Sequence, residues 1–464
     1  MKKSFIFVLS LIFLLQGAVC AQDEPEAYRR VYALTAPYMT VTDDVSFNDL
    51  SCFWKGDCGT IADNVDRVLA SEQVIEDLTA AFGAEPDQKH ITTEPYDPET
   101  SWRLIPFEEI GPQRKVITLD SLNILSNKFD PDTWPLTAVF GADEDTDVTA
   151  LPVQNRDASK LTTVVLTGVT AMVRSTAQYM DLDPLYPASL IREPLIEADI
   201  LHVNNEVPFA EVCNETQADL DALRFCSKPA YMALLEDIGV DVLELDGDHF
   251  QDFGDEAVEF TLDMYDDAGI PYYGGGHNKT EAQQPLIISH NGNTFAFLGC
   301  NGKEIGYAAA SDTRPGAVHC DIDLMVEQIK ELREQGIIPI VTFQHVEVYQ
   351  EKPVDDMRSD FERVHDAGAV IVSGSQSHIP MEFDVYPDSF VHFGLGNLFF
   401  DQAFYLDETA EAFIDRHVFY DGKYINTELL TIRFTNCALS HYMEPDDRAQ
   451  LLSRIFKVSE IRGN

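Results

Sequence analysis

MRSDFERVHDAGAVIVSGSQSH, Met357–His378, holds the unit that decides the fold. Met357, Phe361 and Val364 recur at helical spacing, and the helix stops at Gly368. Ala369–Ser373 (AVIVS) is then a short apolar run of the kind a buried strand makes, and it breaks into Gly374-Ser375-Gln376-Ser377-His378. The same order of helix, glycine and strand occurs at Ala257–Ala268 through Gly269 to Ile270–Tyr273, and at Ile322–Gln335 through Gly336 to Ile337–Phe343. Thr162–Thr167, Ile200–Val203, Val240–Leu245 and Phe390–Phe393 are further strand-type runs, the last leading into Gly394-Leu395-Gly396-Asn397. Helices alternating with unbroken apolar strands predict an α/β domain with a largely parallel, buried sheet.

Ligands of open α/β sheets bind beyond the strand ends, so the polar residues that follow each strand are the candidates. They are Gly168-Val169-Thr170, Asn204-Asn205-Glu206, Gly247-Asp248-His249 with Asp252, Gln344-His345-Val346-Glu347, and Gly374–His378. Glu206 and Asp248 read as oxygen ligands or a general base. His249, His345 and His378 read as nitrogen ligands or proton donors. Asn205, Asp252, His345, Gln376 and Asn397 read as substrate contacts. Taken singly, each could be a helix cap or a turn residue; five strand ends with the same pattern favour a shared site. Gly274-Gly275-Gly276-His277-Asn278 lacks both GxGxxG spacing and a GK[ST] ending and reads as a turn, and no GxSxG elbow exists.

The chain has 464 residues, 79 acidic against 32 basic, for a formal net charge of -47. Such a charge excludes nucleic acid as a partner and disfavours anionic membrane faces. Acidic polymers are repelled as well, unless cations or a local basic patch intervene. Met1-Lys2-Lys3, an apolar run from Phe5 to Leu15 and Val19-Cys20-Ala21 predict a signal peptide over residues 1–21, with acylation of Cys20 as the lesser alternative. The mature chain is then extracytoplasmic, where close spacing pairs Cys52 with Cys58, Cys213 with Cys226 and Cys300 with Cys320, leaving Cys437 alone. The acidic stretch Ala142–Lys160 separates a mixed α/β lobe (22–160), expected to be helical over Asp57–Phe82 and open to a solute-binding role, from the regular domain (161–436) and a helical tail (437–464).

Four segments of the regular domain resemble the CapA family of bacterial capsule (poly-gamma-glutamate) synthesis proteins, whose domain is related to the calcineurin-like metallophosphatases. They are Ala198–Glu206, Leu245–Asn278, Gln344–Pro353 and Ala367–Asn397. The resemblance implies a metallophosphatase-like layered α/β domain acting in assembly, release or handling of a cell-surface polymer or its precursor, with other capsule-assembly proteins as partners. It also implies a metal-assisted phosphoesterase site. The family's metal motifs are reduced here: Val169 stands for an aspartate, Ser375 and Gln376 for two histidines, and Gln344 for a third when Tyr349 and Pro353 set the register. What remains, Glu206, Asp248 and His378, implies at most one divalent metal ion, or with His249 a metal-free acid/base set.

Overall fold

The computed structural model describes residues 28–97, 100–140, 154–213, 223–303, 308–402 and 405–463. The expected signal peptide with Cys20, and most of the acidic join, lie outside them.

Two sheets face each other. The first runs Tyr272–Tyr273, Val242–Glu244, Ile200–Asn205, Leu161–Thr170, Glu411–Tyr420, Lys423–Thr435, Leu439–Tyr442, with Asn397–Phe399 also beside Leu161–Thr170. The second runs Leu286–His290, Asn293–Asn301, Ile338–Gln344, Ile371–Gly374, Phe390–His392, Phe383–Val385, Glu460–Ile461. Alternation along each strand splits its residues between two cores. Val164 and Leu166 point to the interior shared with Phe295, Phe297, Ile340 and Ile371 of the opposite sheet. Val165 points outward to Leu235, Val258 and Leu262 of the helices Met232–Asp237 and Asp255–Ala268. On the far side, Ile329 and Phe361 of the helices Ile322–Glu334 and Asp355–Asp366 cover Val341 and Val372. Four layers result, helix, sheet, sheet, helix, and the central strands are parallel. Burial on both faces is why those strands read as continuous apolar runs. The helices stop where expected; Gly269 takes φ +69, a conformation that an L side chain would strain.

Buried polar contacts join the two sheets, among them Tyr273 Oη to Thr342 Oγ1 at 2.6 Å and Asn293 Nδ2 donating to Thr162 Oγ1 at 2.8 Å. His392 Nδ1 lies 2.7 Å from Asp415 Oδ2, both fully buried. Within the first sheet, His417 Nδ1 lies 2.7 Å from Thr427 Oγ1 of the neighbouring strand, and its Nε2 has no partner. Burial, aided by the neighbouring His392 and His202, pushes the His417 pKa down to about 4. An unfolded histidine titrates near 6.5, so between pH ~6.5 and ~4 the unfolded chain binds a proton that the folded chain refuses, and stability falls as pH falls. His417→Gln is expected to remove about 3 kcal/mol of that acid sensitivity. Urea titrations at pH 7 and pH 4.5 check it, and equal pH dependence in both proteins would refute it.

The N-terminal lobe is a sheet ordered Asp44–Val45, Arg114–Leu119, Tyr28–Pro37, Trp102–Pro106, Val68–Ala70, Ile91–Thr92, with Thr137–Phe140 on Tyr28–Pro37. The helix expected over Asp57–Phe82 is only Glu72–Phe82, capped by Ser71. Gly56 (φ +77), the Cys52–Cys58 disulfide and the turns up to Val65 break the helical path before it. This lobe shares its core with the larger domain through Leu161 and Val418. The tail is partly helical, Pro445–Phe456, and its strand Glu460–Ile461 extends the second sheet. Cys213–Cys226 and Cys300–Cys320 are bonded as the spacing predicts, and Cys437 is free. No helix among the described residues is long and apolar enough to cross a membrane.

Candidate functional site

Strands from both sheets end at one edge. Glu206 directly follows Ile200–Asn205, and its N–H donates to Thr170 O at 3.0 Å, fixing it against the neighbouring strand end. Asp248 and His249 lie in the turn after Val242–Glu244. Gly247 lets that turn press on Glu206: a Cβ at 247 would sit 2.4 Å from Glu206 O and 2.6 Å from its Cα. Gly247→Ala is therefore expected to displace Glu206 and to lower site function by about tenfold or more. Binding or turnover measured beside an unchanged circular dichroism spectrum checks this; undiminished function would show that Glu206 need not be held there.

One ligand atom each from Glu206, Asp248 and His249 lies within 4.8 Å of the others. Nδ1 of His249 is 2.7 Å from Asp252 Oδ2, which turns its Nε2 toward Glu206 Oε1 at 3.8 Å and Asp248 Oδ2 at 4.0 Å. Lys303 Nζ donates to Asp248 and lies 3.6 Å from Glu347 Oε2. Burial, then the Asp248 charge, raises the Glu206 pKa. For Asp248 burial acts upward too, but the charges of His249 and Lys303 outweigh it and hold it low. Burial opposes charge on His249, yet the Asp252 hydrogen bond and the two carboxyl groups lift it to about 9. The surroundings thus favour a proton on Glu206 and on His249 and disfavour one on Asp248.

Several buried polar atoms at the same strand ends have no partner: Thr170 Oγ1, Arg174 Nε, Asn204 Oδ1, Asn205 Oδ1, Glu206 Oε2 and Gln376 Oε1. Each costs about 1–3 kcal/mol when left unpaired in a protein interior, so their concentration at one edge marks a place built to receive polar groups.

The structure gathers most of the expected residues and separates two. Asn205 donates to Tyr265 Oη at 2.7 Å and keeps its Oδ1 free. Asp252 positions His249 and accepts from Phe225 N. Buried Gln376 offers its Oε1. His378, buried with its pKa lowered chiefly by burial, lies 2.8 Å from Asn397 Oδ1 through Nδ1, and its Nε2 is 3.9 Å from Glu347 Oε1. It therefore serves the Glu347 side of the cleft and does not join Glu206 and Asp248 as a common ligand set. His345 is a correction: strand alternation turns it outward, onto Asp360 of the helix Asp355–Asp366 at 3.1 Å. Gln344 faces the cleft instead, its Nε2 donating to Asp248 Oδ1 at 3.4 Å. Ser375 Oγ lies 2.8 Å from Gln344 Oε1 and 2.9 Å from Glu244 Oε1, so it belongs to a buried network beneath the cleft.

Two cations escaped the sequence reading. Arg174 is 5% exposed, with φ +51, and packs on the rings of Phe225 and Phe400 at 4.9 and 5.6 Å. Lys303 follows a sixth strand end, Asn293–Asn301. The signal for Lys303 was Asn301-Gly302-Lys303, a polar glycine break of the same type as the others.

These residues fit one hard cation. Once Glu206 and His249 had given up their protons, Glu206, Asp248 and His249 would form a mixed oxygen and nitrogen donor set, and Glu206 Oε2 has no partner. Among the described residues no second donor cluster accompanies it: Val169 lies in an apolar cluster with Val207 and Phe400, and Gln344, Ser375 and Gln376 offer neutral groups. A bound divalent ion would polarise a carbonyl or phosphoryl oxygen.

A layered α/β domain with an acid, base and cation cluster at its strand ends is the class so defined. The chain belongs to the bacterial capsule synthesis protein family PGA_cap, whose model matches residues 163–402. It is 26% identical over 259 residues to the capsule biosynthesis protein CapA of Bacillus anthracis, covering 54% of this chain and 62% of that protein. It is 29% identical over 216 residues to the PGA biosynthesis protein CapA of Bacillus subtilis (strain 168), covering 46% and 56%. Less than two thirds of either relative is therefore spanned. Among solved structures, a novel phosphatase of Mycoplasma pneumoniae gives a TM-score of 0.37 at 12% identity, over 59% of this chain and 94% of that one. The 5'-nucleotidase precursor of Thermus thermophilus gives 0.35 at 11% identity, over 64% and 58%. Likenesses of that size say nothing about chemistry.

Proposed function

We infer that this protein works outside the cytoplasmic membrane on an anionic cell-surface polymer of the poly-gamma-glutamate class, in its assembly, release or handling, alongside other capsule-assembly proteins. The carrying observation is the meeting of Arg174, Lys303 and a cationic His249 at one set of strand ends, in a chain whose net charge is -47. Lys303 is faced by Asp248 and Glu347 and His249 by Asp252, so these cations would hold an anion through directed charge-assisted hydrogen bonds and not through an excess of positive charge. Family membership and the two CapA relatives support the substrate class, and the export-type N-terminus and three disulfides support the location. In the cleft, Glu206 supplies a proton to a leaving group while ionised Asp248 accepts one.

A second reading, a metal-dependent hydrolase or phosphoesterase with a reduced site, rests on the Glu206, Asp248 and His249 donor set. One experiment addresses both. Purified protein is incubated with poly-gamma-glutamate, with Mn²⁺ or with chelator, and chain length is followed by size-exclusion chromatography. A changed length distribution in either condition supports catalysis on the polymer, and dependence on Mn²⁺ selects the second reading. An unchanged distribution in both removes the catalytic role.

A further inference from the structure

On the Glu347 side of the strand-end cleft, a residue behind His378 fixes where its proton sits. Asn397 is fully buried and spends its amide on protein groups. Its Nδ2 donates to His378 O at 3.3 Å and to Thr409 O at 3.2 Å, and carbonyl oxygens only accept. The amide therefore has one orientation, with Oδ1 facing His378 Nδ1 at 2.8 Å. An amide oxygen accepts as well, so Nδ1 carries the proton. Burial favours the neutral ring, whose lone pair is then on Nε2.

The surroundings hold the ring in this state. It packs on Phe400 at 5.3 Å and on Tyr349 at 6.2 Å between centroids. His378 has φ +52, a costly conformation for a residue with a Cβ, and the Asn397 bond to its carbonyl secures it. Gly394 presses on the residue before it, where a Cβ would strike Ser377 Oγ. Nε2 is aimed at the exposed Glu347, 3.9 Å from its Oε1 and too far for a hydrogen bond. Glu347 is served otherwise: Tyr349 Oη donates to Oε1, and Lys303 Nζ lies 3.6 Å from Oε2. A cationic donor, Lys303, and an acceptor, His378 Nε2, thus stand at the two oxygens of one carboxylate. In a gamma-linked glutamate chain each Cα bears a backbone N–H and a carboxylate, so a donor and an anion recur side by side. Chains joined by ester or phosphodiester bonds carry the anion without the N–H.

We propose that His378 is the residue by which the cleft tells an amide-linked polycarboxylate from an ester-linked one, accepting the backbone N–H at Nε2 while Lys303 meets the neighbouring carboxylate. Asn397, expected from sequence to touch substrate, is instead the positioning residue that keeps this lone pair available. The inference rests on the reading that the cleft holds such a polymer, and it adds the group that recognises the linkage.

The test uses the full chain and two probes of equal charge: a short gamma-linked glutamate oligomer, and its ester counterpart built from 2-hydroxyglutarate, in which oxygen replaces each backbone N–H. Wild type is expected to bind the amide about tenfold tighter than the ester, the scale of one hydrogen bond. His378→Gly, whose backbone takes φ +52 without strain, should bring the two affinities together. Asn397→Leu should do the same by freeing the ring, and if it fails to fold, His378→Gly alone decides. The ¹⁵N spectrum of histidine-labelled wild type, assigned with His378→Gly, should show a protonated Nδ1 and a bare Nε2 at His378. Equal affinity of wild type for the two oligomers, an undiminished preference in folded His378→Gly, or a protonated Nε2 would overturn the inference while leaving polymer binding in place. Binding of neither oligomer to wild type would instead overturn the polymer reading, and this inference with it.

Discussion

Glu206→Gln is expected to lower action on the anionic polymer by about 10²–10⁴-fold, the usual contribution of a positioned acid or base. The substitution keeps the shape and hydrogen-bonding reach of the side chain and removes only its capacity to give or hold a proton. Glu206 is 1% exposed, its Oε2 has no partner, and burial with the Asp248 charge raises its pKa. A carboxyl group kept in that state is costly to the fold, so its neutralisation should leave thermal stability unchanged or raised. The loss should fall on kcat. Where Glu206 is the proton donor, wild-type activity should decline as pH rises through its raised pKa. A kcat equal to wild type in the glutamine variant would remove Glu206 from the chemistry, whatever its surroundings suggest.

Asp415→Ala should give the largest loss of stability, about 3–5 kcal/mol. Asp415 belongs to the strand Glu411–Tyr420 of the first sheet and His392 to Phe390–His392 of the second, so their 2.7 Å contact joins the two layers. Both side chains are fully buried, and His392 also lies 3.2 Å from Met381 O through Nε2. Removing the carboxylate strands Nδ1 without a partner and opens a small void in a packed interior. Urea unfolding should show a lower midpoint with an unchanged slope, because the surface exposed on unfolding stays the same. A loss below about 1 kcal/mol would mean that water or a rearranged side chain replaces the carboxylate.

The layered core was legible because its strands are buried on both faces and its helices end at glycine. Gly269, Gly336 and Gly368 all have positive φ and stand where the pattern placed the stops. The N-terminal lobe was less legible, since a helical period over Asp57–Phe82 cannot reveal that turns and the short strand Val68–Ala70 occupy its first half. Within the site, Glu206, Asp248 and His249 could be read from strand ends alone. His345 could not, because its direction depends on which face of Ile338–Gln344 meets the cleft, and one residue of register exchanges it with Gln344. Arg174 lies four residues beyond its strand, behind apolar Ala171–Val173, and only the fold returns it to the edge. Ser375 and Gln376, where the family resemblance expects imidazoles, hold places in and under the cleft that neutral groups fill.

The central claim is that the strand-end cleft holds an anionic polymer through its cations. Titration calorimetry of a gamma-linked glutamate oligomer into wild type and into an Arg174→Ala, Lys303→Ala double variant tests it most directly. Saturable binding to wild type that weakens by about a hundredfold in the folded double variant is the predicted result, on the scale of two charge-assisted contacts. No binding to wild type, or equal affinity in the two proteins, would contradict it.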